Sequence, residues 1–370
     1  MLSSLRFPVE QSRGRRYPEP EHSYRNLFQR DRDRVIHTRA FRRLENKTQV
    51  FAPAVSDHFR NRLTHTLEVT QIARTVANVL GLNEDLTETL ALAHDIGHPP
   101  FAHAGEEALD CEMQRHGEHF DHNQQALRTV EELERRYPRF PGLNLTFEVR
   151  EGIVKHSCDF ATGEFPHLDQ YLAGQRPPLE AQLIDLADEI AYNAADLDDA
   201  CEAGMLRPET VAAAVPAYAE ILETVETQFP GCTERERFQE SVRRLIDGLV
   251  SSFIEGTVAA ARASGAASVG DVRLHPERLA RFTRPGHETS NALKRLLYTN
   301  VYASDALAAG RAESMEQVGR LFGYLVDHPE AYPTGREPNG HSPRAVCDFI
   351  AGMTDRYFHR YYADLAASMQ

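Results

Sequence analysis

With 370 residues, 41% of them hydrophobic and 26% charged, the chain carries enough apolar material for a real core, and its net charge of −14 excludes binding to nucleic acid through overall basicity. No apolar run approaches the ~20 residues that span a bilayer, so a helical membrane span is excluded. The five cysteines, at 111, 158, 201, 232 and 347, are odd in number and form no CxxC, which argues against a disulfide framework and for a reducing, cytoplasmic setting. The first twenty residues hold no apolar h-region, so no secretory signal is expected. The charge is uneven: from Arg13 to Arg62 there are twelve arginines and one lysine against six acidic residues. Such a block suits an anion, a phosphate group or nucleic acid, but equally a face paired with acidic helices elsewhere.

In chain order, residues 1–22, with Gly14, Pro18 and Pro20, read as an extended N-terminal arm. A helical pattern starts near Ser23 and continues to Leu44. The stretch "NKTQVFAPAVSDHF" breaks that period and suggests a short strand or hairpin. Leu67, Ile72, Val76, Val79 and Leu80 then form a helical stripe that Gly81 should stop. Asn83 is a good N-cap for the next helix, which Gly97, Pro99 and Pro100 should end. Further helices are expected at 121–137, 145–156, 179–201, 208–229, 233–264, 288–309, 312–328 and 342–368, with a loop near 261–288. The fold is therefore mainly α: a multi-helix core over 23–205 and a C-terminal helical lobe, 206–370, packed on it, with at most a short N-terminal hairpin.

Eight of the 17 histidines fall between positions 58 and 122. His94 and Asp95 adjoin at the expected end of an apolar helix, and adjacent helical residues point about 100° apart. They can share one ion only with help from other helices. His65 is the natural third ligand. Asp188, set among Leu186, Ala187, Ile190 and Ala191, is the fourth, because an unpaired carboxylate buried there would be costly. Two imidazoles and two carboxylates without a thiolate favour Mn(II) or Mg(II), with Fe(II), Co(II) and Ni(II) compatible, over a structural zinc site. A metal left with open positions suits hydrolysis.

The H…HD…D pattern resembles the HD superfamily of metal-dependent phosphohydrolases. The flanking text, "RDRDRVIHTRAFRRLENKTQVF", "RLTHTLEVTQIAR", "LAHDIGHPPFAHAGEEAL", "FDHNQQALR", "EGIVKHS", "DLADEIAYNAADLDDA" and "GMTDRY", resembles its deoxyguanosinetriphosphate triphosphohydrolase-like (dGTPase-like) family from about Arg13 to Tyr357. The resemblance is weakest from about 205 to 285. It implies an HD-domain core at 23–205 and hydrolysis of a dNTP to deoxynucleoside and inorganic triphosphate, by water attack at the α-phosphorus.

The resemblance also implies site roles. His103 is the acid/base group and Glu106 its orienter, three residues on and on the same face if that segment is helical. His98 and His122 face phosphate, as imidazolium ions or N–H donors. Arg62 contacts phosphate, Tyr192 stacks under the deoxyribose, and Asp196 and Gln49 read the 3′-hydroxyl. Lys155 and Lys294 are candidates for the triphosphate or pocket. Where some relatives place a lysine after the last metal-binding aspartate, this chain has Glu189, which is expected to face away while a cation from another segment takes its place. A homo-oligomer, a dNTP effector at a second site and single-stranded DNA are the partners implied; no membrane is. The alternatives are an HD-type nucleotide phosphatase or phosphodiesterase, or a nucleotide- or ssDNA-binding regulator without turnover.

Overall fold

The helices begin where a cap or a proline lets them begin. In a computed structural model describing residues 1–50, 59–332 and 342–365, they are α1 (Leu27–Ile36), α2 (Arg39–Arg43), α3 (Arg62–Leu80), α4 (Glu84–Ala93), α5 (Ala102–Gln114), α6 (His122–Arg128), α7 (Phe147–Lys155) and α8 (Leu179–Glu202). There follow α9 (Pro208–Ala214), α10 (Pro216–Gln228), α11 (Glu234–Ser264), α12 (Val269–Leu274), α13 (Arg284–Leu297), α14 (Asp305–Asp327), α15 (Pro343–Ala351) and α16 (Asp355–Leu365). Among the described residues, β pairing is confined to three isolated bridges. The mainly α reading therefore holds. The expected hairpin over 46–59 lies largely outside the described residues, although Thr48 bridges Asn61.

Several expected helices break in two, each for a local reason. The helix expected from Ser23 to Leu44 splits because Thr38 caps α2, its Oγ1 accepting from Phe41 N at 3.0 Å. Pro216, which has no N–H to donate, ends α9 and opens α10. α13 runs into a π turn at Tyr298–Tyr302 before α14 starts. α12 lies in the stretch expected to be a loop, where Ser268 and Asp271 form a capping box. Gly81 (φ 79°) does stop α3, and Asn83 Oδ1 does cap α4, accepting from Leu86 N at 3.2 Å.

The chain resolves into two compact units, each assembled from three stretches: 1–32, 67–91 and 146–304 in the first, 33–66, 92–145 and 305–370 in the second. The chain-order division at 22/23 and 205/206 is not followed. The first unit is organised on the 24-residue α8, against which α7, α11 and α13 pack. Its N-terminal residues are docked: Leu2, Leu5 and Phe7 are buried, and Glu180 Oε1 accepts from Phe7 N (2.8 Å) and Asn83 N (3.0 Å). In the second unit α5 packs on α14 and α15 over a core that includes Leu109, Met113, Val318, Leu321, Phe322 and Phe358.

Much of the basic N-terminal block is spent within these units rather than on a phosphate. Arg15 bonds Asp31, Arg32 meets Glu88 at 2.9 Å, and Arg34 donates to the Leu143 and Asn144 carbonyls at 2.8 and 3.2 Å. For Arg15 and Arg32 the partner is an acidic side chain, as the paired-face reading has it, whereas Arg34 is held by carbonyls. A guanidinium group drawn out of water needs acceptors, and here the acceptors belong to the fold.

Candidate active site

The histidine-rich segment of the second unit is a turn folded against its neighbours. α4 ends at Ala93, four residues ahead of Gly97, so His94 and Asp95 lie on the turn that follows it rather than on the helix. A Cβ at Gly97 would stand 2.0 Å from His122 O, and one at Gly105 would stand 1.9 Å from Pro100 O. Only glycine permits either approach. Between them Phe101 and Ala102 both take left-handed backbone (φ 64° and 52°), which non-glycine residues rarely adopt. The reversal sends α5 off in a new direction with His103 and Glu106 on one face.

His65, near the start of α3, and His94 are buried side by side, with ring centroids 5.9 Å apart and a nitrogen of each within 4.8 Å of the other. Two nitrogens bound to one divalent ion at ~2.1 Å stand up to ~4.2 Å apart, so a pair this close suits such an ion. Asp95 lies beside His94 and is held from two further sides. Its Oδ2 accepts from Arg62 Nη1 at 2.7 Å, and its Oδ1 lies 3.2 Å from His98 Nε2 and 3.5 Å from His94 Nε2. Burial alone would raise the Asp95 carboxyl; Arg62, then His94 and His98, hold it well below the usual carboxylate range. Arg62, 3% exposed, is thus committed to Asp95.

His98 and His122 stack, with centroids 4.0 Å apart and planes 17° apart. Two stacked imidazoles cannot both hold charge cheaply, and the environment separates them. Burial, then Arg62 and His122, push His98 well below the imidazole range, so it is neutral at pH 7 with its Nε2 toward Asp95. Of the two expected forms, this environment favours the neutral N–H donor for His98. Burial would lower His122 too, but Glu106 overcomes it and the net shift is upward. Glu106 Oε1 accepts from His122 N (3.0 Å) and meets His122 Nδ1 at 2.8 Å. His103 Nδ1 stands 3.6 Å from Glu106 Oε2, an ion-pair distance rather than a closed hydrogen bond, and its side chain is 82% exposed. Glu106 thus anchors His122 more firmly than the His103 it was expected to orient. Burial would raise its carboxyl, yet the imidazoles of His103 and His122 keep it far below the usual range.

In the first unit Asp188, Tyr192 and Asp196 follow one another at i+4 and i+8 on one face of α8. Burial, then Glu189 and Asp188, push the Tyr192 phenol up, so it stays neutral. Asp196 is buried and accepts from the Tyr302 hydroxyl, a partner the sequence reading missed. Glu189 turns to α13, where Ser290 donates to one of its oxygens and Lys294 Nζ lies 2.8 Å from the other. This bears on the departure noted at Glu189: the acid carries its own cation.

Lys155 does not have the place expected of a substrate-facing residue. It is fully buried, with Nζ 2.8 Å from Leu172 O, 3.0 Å from Gln175 O and 3.4 Å from Glu151. Gln49, in the second unit, has a buried Oε1 without a hydrogen-bond partner among the described residues, as a ligand-reading group would. Lys47 and Asp355 also reach the histidine turn and were missed. "KTQVF" and "GMTDRY" marked both segments, but a lysine beside a polar pair and an acid opening a helix are ordinary surface features.

The sequence matches the HD domain over residues 62–193 and the phosphohydrolase-associated domain over residues 280–364. A deoxyguanosinetriphosphate triphosphohydrolase-like protein of Ralstonia nicotianae is 46% identical over 351 residues, covering 94% of this chain and 90% of that protein. Proteins of the same description from Geobacter sulfurreducens and an Azoarcus species are 45% and 44% identical, over 94% and 99% of this chain and 90% and 97% of their own.

Proposed function

Because this chain belongs to the deoxyguanosinetriphosphate triphosphohydrolase-like family of HD-domain hydrolases, we propose that it hydrolyses deoxynucleoside triphosphates, dGTP or another, to deoxynucleoside and inorganic triphosphate. The observation that carries the reading is the joining of His98, His103, Glu106 and His122 in one cluster beside the buried His65–His94 pair.

The proposed metal set is His65, His94 and Asp95, with Asp188 as fourth donor on the strength of the H…HD…D pattern. The ion, Mn2+ or Mg2+ first, supplies a water of lowered pKa and a Lewis acid for the phosphoryl oxygen. Arg62 keeps Asp95 ionised and thereby fit to be a ligand. His122, whose protonated form Glu106 favours, faces the charge that develops on the phosphoryl oxygens, and His98 packs beneath it. His103, exposed and three residues ahead of Glu106, moves the proton. Gln49 and Asp196 read the 3′-hydroxyl, Tyr192 lines the sugar, and Lys294 offers charge to the phosphate tail. A homo-oligomer, a dNTP effector, single-stranded DNA and a cytoplasmic setting belong to the same proposal.

The test is a pair of variants assayed for bound metal and for turnover. His94→Ala is expected to lose both. His103→Ala is expected to keep the metal and lose turnover, and full turnover in it would remove the proton-transfer role.

A further inference from the structure

The turn between His98 and His103 holds two successive left-handed residues, neither of them glycine, so something must hold it there. Two residues distant in sequence do so. Asp355, the first residue of α16, accepts from Phe101 N with Oδ1 (3.1 Å) and from Thr48 N with Oδ2 (2.8 Å). Lys47, 2% exposed, donates Nζ to the His98 carbonyl and to Ala351 O (3.0 Å), while its own carbonyl accepts from Arg62 N (3.2 Å). The Phe101 ring lies edge-on to Phe358 of α16, with centroids 4.9 Å apart. The Asp355 carboxylate therefore ties the histidine turn and the segment leading to Gln49 to the first turn of α16, while the Lys47 ammonium ties the same turn to the end of α15 and the Lys47 carbonyl holds the start of α3. All of these groups lie in the second unit.

We propose that Asp355, acting with Lys47, is a positioning residue: it keeps the Phe101–Ala102 backbone left-handed, and so sets His103 against Glu106, in register with Gln49. This rests on the reading of the cluster as a nucleotide-hydrolysing site. Asp355 accepts from the amides of Thr48 and Phe101, neither of them a proposed metal ligand. Its carboxylate alone can accept from two amides that point at it from different segments. An asparagine of the same size offers one carbonyl oxygen and must turn an NH2 group toward the second amide.

The experiment compares the parent with Asp355→Asn for kcat, KM, bound metal and amide hydrogen exchange in peptides carrying Thr48 and Phe101. The expected result is folded protein with parental metal content, faster exchange in both peptides, kcat lower by roughly ten- to a hundredfold, and a smaller change in KM. Ala102→Gly in the same background, which removes the steric cost of the left-handed backbone at that residue, is expected to recover part of the lost kcat. Parental kcat in folded Asp355→Asn would overturn the inference. So would a kcat loss with unchanged exchange, or one that tracks loss of metal. Should Asp355→Asn not fold, Asp355→Glu decides by the same rule: exchange in the two peptides and kcat move together, or the inference falls. If the parent itself hydrolyses no dNTP, the proposed function fails, while exchange in the two peptides still decides whether Asp355 holds the turn.

Discussion

In the first unit Glu151 takes both Arg273 nitrogens, at 2.6 and 2.8 Å, and also meets Lys155, whose remaining donors go to two carbonyls. Nearby, Asp159 is gripped by Arg278 and Arg176. In the second unit four imidazoles crowd together and their environments pull them apart: His98, pushed down, stacks on His122, raised by Glu106; His65 lies against His94, and Asp95 is shared by Arg62 and His98. The first set closes on itself with opposite charges and matched acceptors, as a buried network must if it is to hold a fold together. The second pairs Arg62 with Asp95 and Glu106 with His122 but also crowds imidazole on imidazole around two glycines and a left-handed turn. That costs stability, and it is the pattern the proposed ligand site accounts for. Burial of charge thus has two meanings in one chain, and the partner set tells them apart.

The largest expected effect lies in the second region. His94→Ala should lower turnover at least about a thousandfold and strip the metal, while His103→Ala should lower it roughly a hundred- to ten-thousandfold with metal retained. Elemental analysis beside steady-state rates separates them. In the first region Glu151→Gln should destabilise the fold by about 3 kcal/mol or more, because it leaves Arg273 and Lys155 without their buried carboxylate. Its kcat and KM, measured below the unfolding transition, should stay within about twofold of parent. A large KM change would return Lys155 and its neighbours to the substrate site. Lys294→Met should raise KM for the triphosphate by roughly three- to tenfold, since it removes one cation and leaves Glu189 uncompensated. Adding Glu189→Gln should recover part of this, and a double-mutant cycle with no coupling would break the pairing.

The smallest effect concerns pH. Burial raises the folded-state pKa of Glu180 above its usual 4.5, against hydrogen bonds from Phe7 N and Asn83 N that lower it. The folded state therefore binds this proton more tightly than the unfolded one. The stability it contributes is complete below about pH 4.5 and is lost as pH rises through the folded-state pKa. Glu180→Gln keeps an acceptor for both amides without the charge. It should raise Tm by a few degrees at pH 8, roughly 1 kcal/mol, and change it little at pH 4. Denaturation curves at the two pH values check the sign.

How much of this could be read in the sequence follows from how local each signal is. The stop at Gly81, the Asn83 cap and the His103–Glu106 spacing depend on neighbours within one turn, and all three stand in the structure. The splits at Thr38 and Pro216 are just as local, but the apolar periodicity runs on through both and masked them. Lys155 misled because a helical lysine next to a histidine looks the same whether it faces solvent, phosphate or Glu151; its acceptors, Leu172 O and Gln175 O, lie well beyond the helix that carries it. Tyr302 on Asp196 and Asp355 on Thr48 join residues 106 and 307 positions apart, separations at which no pattern of spacing operates. The interleaving of the two units has the same origin, since each gathers three stretches of chain that sequence order keeps apart.

The central claim is that the histidine cluster serves attack at the α-phosphorus of a dNTP. The most direct measurement is product analysis of the metal-loaded protein incubated with each dNTP and with their mixtures, with Mn2+ or Mg2+ present. The account predicts deoxynucleoside and intact inorganic triphosphate in equal amounts. Release of pyrophosphate or orthophosphate, or tight dNTP binding with no product over hours, would contradict it.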